Sequence, residues 1–219
     1  MDFGFYNMDC MEGMKEFPDK FFDLAIVDPP YGLQRFKRGG SVINKYDDEN
    51  GEWNNIKPSN EYFLELFRVS KYQIIWGGNN FVLPESEYFI IWDKVNPPDF
   101  SFAQCEMAWT NCRVPAKIFR YNSQNESKQR IHPTQKPVAL YEWLLNRYAK
   151  ENDIILDTHV GSASSLIACH NTNHKYVGFE IDETFYKKAR ARLDSEIAQM
   201  NVFDFMNEEQ IPGQTSLFD

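Results

Sequence analysis

Short apolar runs alternate along this chain with stretches in which apolar residues recur every three or four positions. The apolar runs predict strands at residues 22–27, 73–76, 88–92, 106–110, 153–157 and 175–180, with a further candidate at residues 3–7. The helical spacing predicts helices at residues 59–70, 137–150, 163–170 and 183–199. Strands that alternate with helices are typical of an α/β domain built on a mainly parallel, twisted sheet.

Two parts of the chain depart from this alternation. The strands predicted at 88–92 and 106–110 have no helix between them, which favours an antiparallel ribbon at one edge of the sheet. Residues 32–58 and 111–135 are polar, rich in Asn, Gly and Ser, and give no clear periodicity. Long loops in a compact domain are usually functional or mobile, so both stretches are candidate binding segments.

The composition places the chain among globular proteins of one domain. It has 219 residues, of which 42% are hydrophobic and 16% aromatic. The apolar runs are too short to span a bilayer, and the first ten residues show no secretion signal, so we expect a cytoplasmic protein. The four cysteines form no C-x-x-C pair and are expected to stay reduced. The four histidines lack ligand partners at metal-binding spacing, so we expect no metal site.

The net charge of −9 argues against a general polyanion binder, but the basic residues are concentrated in two segments. Residues 34–45 carry basic side chains and no acid, and residues 112–136 carry six basic side chains and one acid. Candidate nucleic-acid contacts are therefore Arg35, Lys37, Arg38, Arg113, Lys117, Arg120, Lys128 and Arg130. The alternative is that these are solvated loops whose charges keep the chain soluble.

Three acids follow or end predicted strands. Asp28 comes directly after the strand at 22–27, while Asp157 and Glu180 end later strands. Ligands of open parallel sheets bind outside the carboxyl ends of the strands. A turn that contains Gly161, followed at a distance by an acid, favours a nucleoside cofactor whose ribose hydroxyls bind Glu180. An ordinary turn between a strand and a helix is the alternative.

The sequence Asp28-Pro29-Pro30-Tyr31 supplies a matched set of groups for holding a planar amine. The two prolines fix the backbone, so the Asp28 carboxylate and the Pro29 carbonyl form two acceptors aimed at one point. Both hydrogens of an exocyclic –NH₂ can bind there while Tyr31 stacks on the attached ring. The pattern favours alkylation of a base amine; a rigid turn that ends a strand is the alternative.

Three separated motifs, "DLAIVDPPYG", "HPTQKPVALYEWLL" and "ILDTHVGSASS" with "YVGFEID", resemble the amino-methylating DNA methyltransferases that use S-adenosylmethionine. Their order resembles the circularly permuted β group of that family. The resemblance implies a Rossmann-like class I fold, a double-stranded DNA substrate and a flipped-out target base. It also implies a bacterial or phage enzyme of the restriction–modification type.

The resemblance assigns Asp28, Pro29, Pro30 and Tyr31 to catalysis. It assigns cofactor binding to Asp9, Cys10, His132, Thr134, Gln135, Lys136, Asp157, Thr158, His159, Gly161, Ser164, Ser165 and Glu180. The chain departs from the family pattern at Thr158-His159, where Pro-Phe is common, and at Ala163, where a second glycine is common. We expect His159 to pack rather than to act as a base, and Ala163 to need no positive φ because the helix has already begun.

The target is expected to be adenine N6, because D-P-P-Y in this order more often accompanies it. Cytosine N4 is the alternative within the family, and a non-catalytic DNA- or clamp-binding module is the alternative of another class. An RNA or protein-glutamine substrate is a further alternative; Asp28 in place of Asn disfavours the glutamine. No cysteine lies in a Pro-Cys pair, which disfavours methylation of cytosine carbon 5.

Residues 1–200 are predicted to form one catalytic domain, with a mobile loop at 32–58 and a short target-recognition segment at 111–131 inserted into it. So short a segment favours a short DNA site or help from a second subunit in a homodimer. In the tail, 201–219, residues Gln214 to Phe218 resemble the peptide that binds the bacterial sliding clamp. Docking of these apolar residues on their own domain is the alternative.

Overall fold

The computed structural model describes residues 1–32, 56–97, 99, 103–122 and 130–208, with side chains described as far as Gln199. The strands are Gly4–Asn7 (β1), Phe22–Val27 (β2), Ser70–Trp76 (β3), Phe89–Asp93 (β4), Cys105–Thr110 (β5), Lys117–Arg120 (β6), Ile154–Asp157 (β7) and Lys175–Glu180 (β8). The helices are Cys10–Lys15 (α1), Asn60–Val69 (α2), Val138–Tyr148 (α3), Ser164–Asn171 (α4) and Glu183–Glu208 (α5), with a 3₁₀ turn at Gly78–Asn80.

The strands form one sheet in the order β1-β8-β7-β2-β3-β5-β4-β6. The first five strands in that order are parallel; β5 is antiparallel to both β3 and β4, and β6 is parallel to β4. The mainly parallel α/β sheet and the antiparallel pairing of the fourth and fifth strands are confirmed.

The antiparallel pair β4 and β5 does not form the edge of the sheet, contrary to the prediction, because β6 pairs with β4 and is itself the edge strand. This strand comes from the stretch at 111–135 that gave no periodicity. Its four residues, KIFR, are too few to show alternation, and its hydrogen bonds go to the distant β4. Phe119 anchors it by packing against Trp143 of α3, with ring centroids 5.4 Å apart.

Apolar side chains cover both faces of the sheet, as expected for parallel strands buried on two sides. On one face Trp76 packs with Leu140 and Leu144 of α3. On the other face Phe22 packs with Met14 of α1 and with the buried stripe of α2. In the part of the chain that the structure describes, no helix is long and apolar enough to cross a membrane.

Two helices differ from their predicted bounds. Helix α1 was not predicted, because its six residues are shorter than the window in which periodicity is visible. Helix α5 continues past the predicted end at residue 199 to Glu208, so the boundary that we predict at residue 200 falls within it.

Several sequence-based candidates lie outside the described residues. They include most of the loop at 32–58 and much of the recognition segment. Arg35, Lys37, Arg38, Lys128 and the tail peptide Gln214 to Phe218 belong to these parts.

Candidate functional site

The three predicted acids lie at the carboxyl ends of three adjacent strands, β8, β7 and β2. Asp157 is level with Gly178, so Glu180 lies two residues beyond it on the neighbouring strand. Leu156 pairs with Ala25, which places Asp28 beyond Asp157 on the other side. The strand order thus gathers acids that are up to 152 positions apart in the sequence along one edge.

The Asp28 carboxylate is bonded through both oxygens. The Tyr31 hydroxyl donates to Oδ1 at 2.6 Å, and the Lys136 ammonium donates to Oδ2 in a short ion pair. The Tyr31 ring lies against Gly77, where a Cβ atom would stand 2.2 Å from Cε1 of the ring. Burial and the neighbouring Asp28 raise the pKa of Tyr31 well above 10. Tyr31 is therefore a neutral donor to Asp28 across the physiological range.

Lys136, which is buried, continues this contact into a chain of partly buried charges. Its side chain is 3% exposed, and Nζ lies 3.1 Å from Oε2 of Glu106 at the start of β5. The other oxygen of Glu106 lies 2.5 Å from Nζ of Lys94. Burial alone raises the pKa of Glu106, but Lys136 and Lys94 outweigh burial and lower it to about 2. Negative and positive groups therefore alternate from Asp28 to Lys94.

Asp157 is the anchor of the turn between β7 and α4. Its carboxylate accepts from the Ser165 hydroxyl at 2.5 Å and from the His159 amide at 3.0 Å. The residue is 2% exposed. Burial raises the pKa of Asp157 to about 7, and the nearby Asp28 adds to the effect.

The turn itself is held by helices on either side. From α2, the Tyr62 hydroxyl shares a hydrogen bond of 2.6 Å with the Thr158 hydroxyl. From α5, the Arg192 guanidinium donates to the Ser162 carbonyl at 2.8 Å and to the Ser164 hydroxyl at 2.9 Å.

Ala163 corrects one expectation. The first residue of α4 is Ser164, so Ala163 lies outside the helix and takes a left-handed conformation, with φ 63° and ψ 16°. The position therefore does require a positive φ, the conformation that glycine adopts at no steric cost. Helix α4 begins one residue later than the sequence pattern predicts. Ala163, the residue just before it, carries the backbone strain.

Glu180 closes the turn from the neighbouring strand. Gly161, at φ 56°, donates its amide hydrogen to Oε2 at 2.9 Å, and Asp182 donates to Oε1 at 3.0 Å. Burial raises the pKa of Glu180 above its ordinary value.

The segment from His132 to Lys136 lies over the same turn. The His132 ring packs edge-on against Phe185 of α5, with centroids 4.4 Å apart, and a Cβ on Gly161 would stand 3.7 Å from it. Gln135 accepts from the Ile131 amide through Oε1, while its buried Nε2 has no partner among the described residues. Thr134 is exposed.

His159 packs as expected. Its ring lies edge-on to Tyr62 at 5.4 Å between centroids, and Nδ1 is 2.9 Å from the Thr158 hydroxyl. Burial lowers the pKa of His159 to about 4. The imidazole is therefore neutral at physiological pH.

Asp9 and Cys10 follow β1, which pairs with β8, and so lie near Glu180. The Asp9 carboxylate caps α1 by accepting from the Met11 amide at 2.7 Å. Burial raises the pKa of Cys10 to about 12, so this thiol is not an anionic nucleophile at neutral pH.

The basic candidates do not all lie at one edge. Arg120 lies at the edge of Asp28, because β6 runs parallel to β4, and it pairs with Asp93 at 3.2 Å. Lys117 lies at the opposite end of β6, and Arg113 follows the carboxyl end of the antiparallel β5. The structure therefore brings Arg120, but neither Lys117 nor Arg113, to the edge of the sheet that carries the acids.

Three residues that lie close to this site were not predicted from the sequence: Glu106, Lys94 and Gly77. One signal was available: an antiparallel strand presents its amino end where its parallel neighbours present their carboxyl ends. Glu106 is the second residue of β5 and follows from that rule once β5 is placed beside β3. In the described part of the chain, no group of three side chains is arranged to hold a metal ion.

Comparison with known families matches residues 70–191, more than half of the chain, to the family described as DNA methylase. The type II methyltransferase M.HpaI of Haemophilus parainfluenzae is 26% identical over 249 residues, which cover 91% of this chain and 76% of that protein. The expected family is thereby confirmed.

Two solved structures show the same fold. The complex of M1.HpyAVI with SAM has a TM-score of 0.57 and 21% identity, and covers 86% of this chain and 98% of that one. The PvuII DNA methyltransferase, described as cytosine-N4-specific, has a TM-score of 0.57 and 14% identity, and covers 87% of this chain and 86% of that one. These likenesses confirm the class I α/β architecture.

Proposed function

This chain belongs to the DNA methylase family, and from that premise we propose that it transfers a methyl group to N6 of an adenine flipped out of duplex DNA. The family depends on S-adenosylmethionine. The observation that carries the proposal is the position of Asp28, one strand away from the turn anchored by Asp157 and in a buried pair with Lys136.

The residues around the turn suit this cofactor chemically. The cofactor carries two cationic groups, the sulfonium and the ammonium, and Asp157 and Glu180 place carboxylates at adjacent strand ends. Each oxygen of Glu180 accepts one amide hydrogen, so lone pairs remain for ribose hydroxyls. The buried Gln135 Nε2, unpartnered among the described residues, suits the cofactor's carboxylate.

When bound, the cofactor supplies an electrophilic methyl group on its sulfonium sulfur. We assign Asp28 the role of accepting one hydrogen of the base amine, and the carbonyl of Pro29 the other. Both bonds turn the nitrogen lone pair out of conjugation with the ring. Tyr31 lies beside Asp28 and supplies a face for stacking, worth about 1–3 kcal/mol for a base. Positioning accounts for most of the rate in this scheme.

Adenine is proposed as the target on the D-P-P-Y pattern, and cytosine N4 is the alternative. The test is transfer from deuterated S-adenosylmethionine to mixed-sequence duplex DNA, with the nucleosides resolved by mass spectrometry. We expect labelled N6-methyl-2′-deoxyadenosine from the wild type and none from Asp28→Ala. Labelled N4-methyl-2′-deoxycytidine would support the same mechanism and show that the target base is cytosine.

Absence of any label, together with failure to bind the cofactor in calorimetry, would instead identify a non-catalytic binding module. Cofactor binding without DNA methylation would direct the search to RNA substrates.

The partners of this enzyme are part of the same proposal. Duplex DNA contacts Arg120 at the edge that carries Asp28, and the tail peptide Gln214 to Phe218 recruits the enzyme to the sliding clamp. Deleting residues 214–219 tests the second point: clamp binding should disappear while methylation of short duplexes persists. Sedimentation with and without DNA tests the predicted homodimer.

A further inference from the structure

The ion pair between Lys136 and Asp28 sets a problem for the proposed reaction. Both Asp28 oxygens already accept one strong hydrogen bond, Oδ2 from the Lys136 ammonium and Oδ1 from the Tyr31 hydroxyl, and the paired ammonium weakens the remaining lone pairs as acceptors for the base amine. The Asp28 side chain is 16% exposed, so little water reaches it. An amine can replace the ammonium only if that buried charge has another anion to move to, since an unpaired buried charge is strongly destabilising.

Glu106 provides such an anion. Its Oε2 atom is buried and lacks a well-directed hydrogen bond, although the Lys136 ammonium lies 3.1 Å away. The other oxygen, Oε1, is held by Lys94 at 2.5 Å, which fixes the direction of the carboxylate. One acceptor of Glu106 is thus satisfied and the other is available within a short movement of Lys136 Nζ.

The walls around the ammonium leave few other directions. Lys136 is 3% exposed, and Nζ lies 5.3 Å from the centroid of the buried Trp76 ring. The side chain therefore has an aromatic face beside it and two carboxylates within reach. A movement from Asp28 toward Glu106 keeps the charge paired throughout.

We propose that Lys136 is a movable counter-ion, and that Glu106 is the positioning residue that receives it when a base amine binds Asp28. Before the base arrives, Lys136 holds Asp28 in place. As the amine binds, the ammonium completes its bond to Glu106 Oε2, and Oδ2 of Asp28 becomes a stronger acceptor for the amine. This inference rests on the proposed function and adds to it a residue that touches neither the base nor the cofactor.

The test compares two substitutions that change the charge beside Lys136 in opposite directions. Glu106→Gln keeps the shape of the side chain but removes the receiving charge, so Lys136 stays on Asp28. Loss of one charge-assisted bond corresponds to a rise of about tenfold or more in KM for DNA. Cofactor affinity, measured by calorimetry, should change by less than about twofold, since the cofactor residues keep their contacts.

Lys94→Met is the matched variant. It leaves Lys136 as the cation beside Glu106 and so favours the movement away from Asp28, while it also removes the cation–π contact of the Lys94 ammonium with the Trp92 ring. KM for DNA should stay unchanged or fall. A purely structural network would behave differently, because each substitution would then raise KM or lower activity in the same direction.

Methyl transfer to mixed-sequence duplex DNA supplies the readout for both variants. A wild-type KM in Glu106→Gln, or a tenfold rise in Lys94→Met, overturns the inference. If Glu106→Gln does not fold, as judged by circular dichroism, the Lys94→Met result decides alone. A wild-type enzyme without methyl transfer is a separate outcome, which refutes the proposed function itself.

Discussion

At the scale of single residues, backbone conformation shapes the two turns that carry the candidate site. Gly77 at the end of β3 has φ 64° and leaves the space that the Tyr31 ring occupies. Ala163 takes nearly the same φ without being a glycine. Glycine is therefore required at position 77 because the Tyr31 ring leaves no room for a side chain. At position 163 an alanine adopts the left-handed conformation, at a cost in free energy that the surrounding packing offsets.

Gly77→Ala should impair methyl transfer beyond its effect on stability. The left-handed backbone costs about 1–2 kcal/mol with any side chain, and the new methyl group would stand 2.2 Å from the Tyr31 ring, so that ring must move. Denaturant unfolding and methylation assays measure the two effects. Cofactor affinity should stay near that of the wild type, because Gly77 lies beside Asp28 rather than at the turn near Glu180.

Gly161→Ala is the control for backbone strain. Its φ is 56°, but an added Cβ meets the His132 ring at an ordinary 3.7 Å. Gly161→Ala should therefore suffer the backbone strain without a steric clash. Its free energy of unfolding should fall by less than that of Gly77→Ala. Equal losses of stability would contradict the assigned role of the Tyr31 contact.

The sequence predicts the positions of the acids at the candidate site better than it predicts the groups that contact them. Asp28, Asp157 and Glu180 were identifiable because each follows or ends an apolar run at a ligand-binding edge. Lys136 is predicted to contact the cofactor, and its ion pair with Asp28 was not predicted. That contact joins residues 108 positions apart, and local patterns carry no information about such pairs.

At the scale of elements, the turn after β7 depends on helix α5. Arg192 spans from α5 to the Ser162 carbonyl and the Ser164 hydroxyl. Arg190, two positions earlier, forms an exposed pair with Asp194 on the same helix. Helix α5 therefore carries one arginine, Arg192, that bonds to the turn and another, Arg190, that forms an exposed pair within the helix.

Arg192→Met should destabilise the protein and weaken cofactor binding. Hydrogen bonds to a charged group contribute about 1.5–3 kcal/mol each, and without them the turn loses its contact with α5. Unfolding in urea and calorimetry with S-adenosylmethionine measure the two effects. Arg190→Met removes the exposed i,i+4 pair and should cost less than about 0.5 kcal/mol. If the two variants behave alike, the turn does not depend on Arg192.

Element types were predictable from periodicity, whereas their edges and the shortest elements were not. Helix α1 and strand β6 have six and four residues, too few for a periodic signal. Their positions come from contacts with distant partners: α1 packs on the sheet through Met14, and β6 pairs with β4. The start of α4 shifted by one residue because the left-handed Ala163 cannot belong to a helix.

At the scale of the whole molecule, the sheet places buried acids side by side, and this makes stability depend on pH. The pKa of Asp157 is raised from 3.8 to about 7, and that of Glu180 is raised as well. The folded protein therefore holds protons that the unfolded chain releases. These two acids therefore make the free energy of unfolding fall as pH rises through this window, whereas His159, whose pKa is lowered from 6.5 to about 4, makes it rise between those two values.

Asp157→Asn should remove most of the fall in the free energy of unfolding that the two acids cause as pH rises. Between about pH 4 and 7 the wild type should lose at most about 4 kcal/mol more than the variant, with no further difference above that range. Urea unfolding across the range measures it. His159 contributes a slope of opposite sign between about pH 4 and 6.5, but both proteins carry it, so it cancels in the difference between them. Parallel pH profiles for the two proteins would refute the raised pKa of Asp157.

The order of the strands also bears on how a newly made chain becomes active. Asp28 directly follows β2, but the strand that pairs with β2, β7, comes 131 residues later in the chain, and β1 pairs with the still later β8. Such pairings must wait until the later strand has been made, and contacts between distant segments are also slow to form. On the ribosome, the Asp28-Pro29-Pro30-Tyr31 sequence therefore emerges long before β7 and β8, so the edge that gathers the three acids cannot form until β8 has been synthesised.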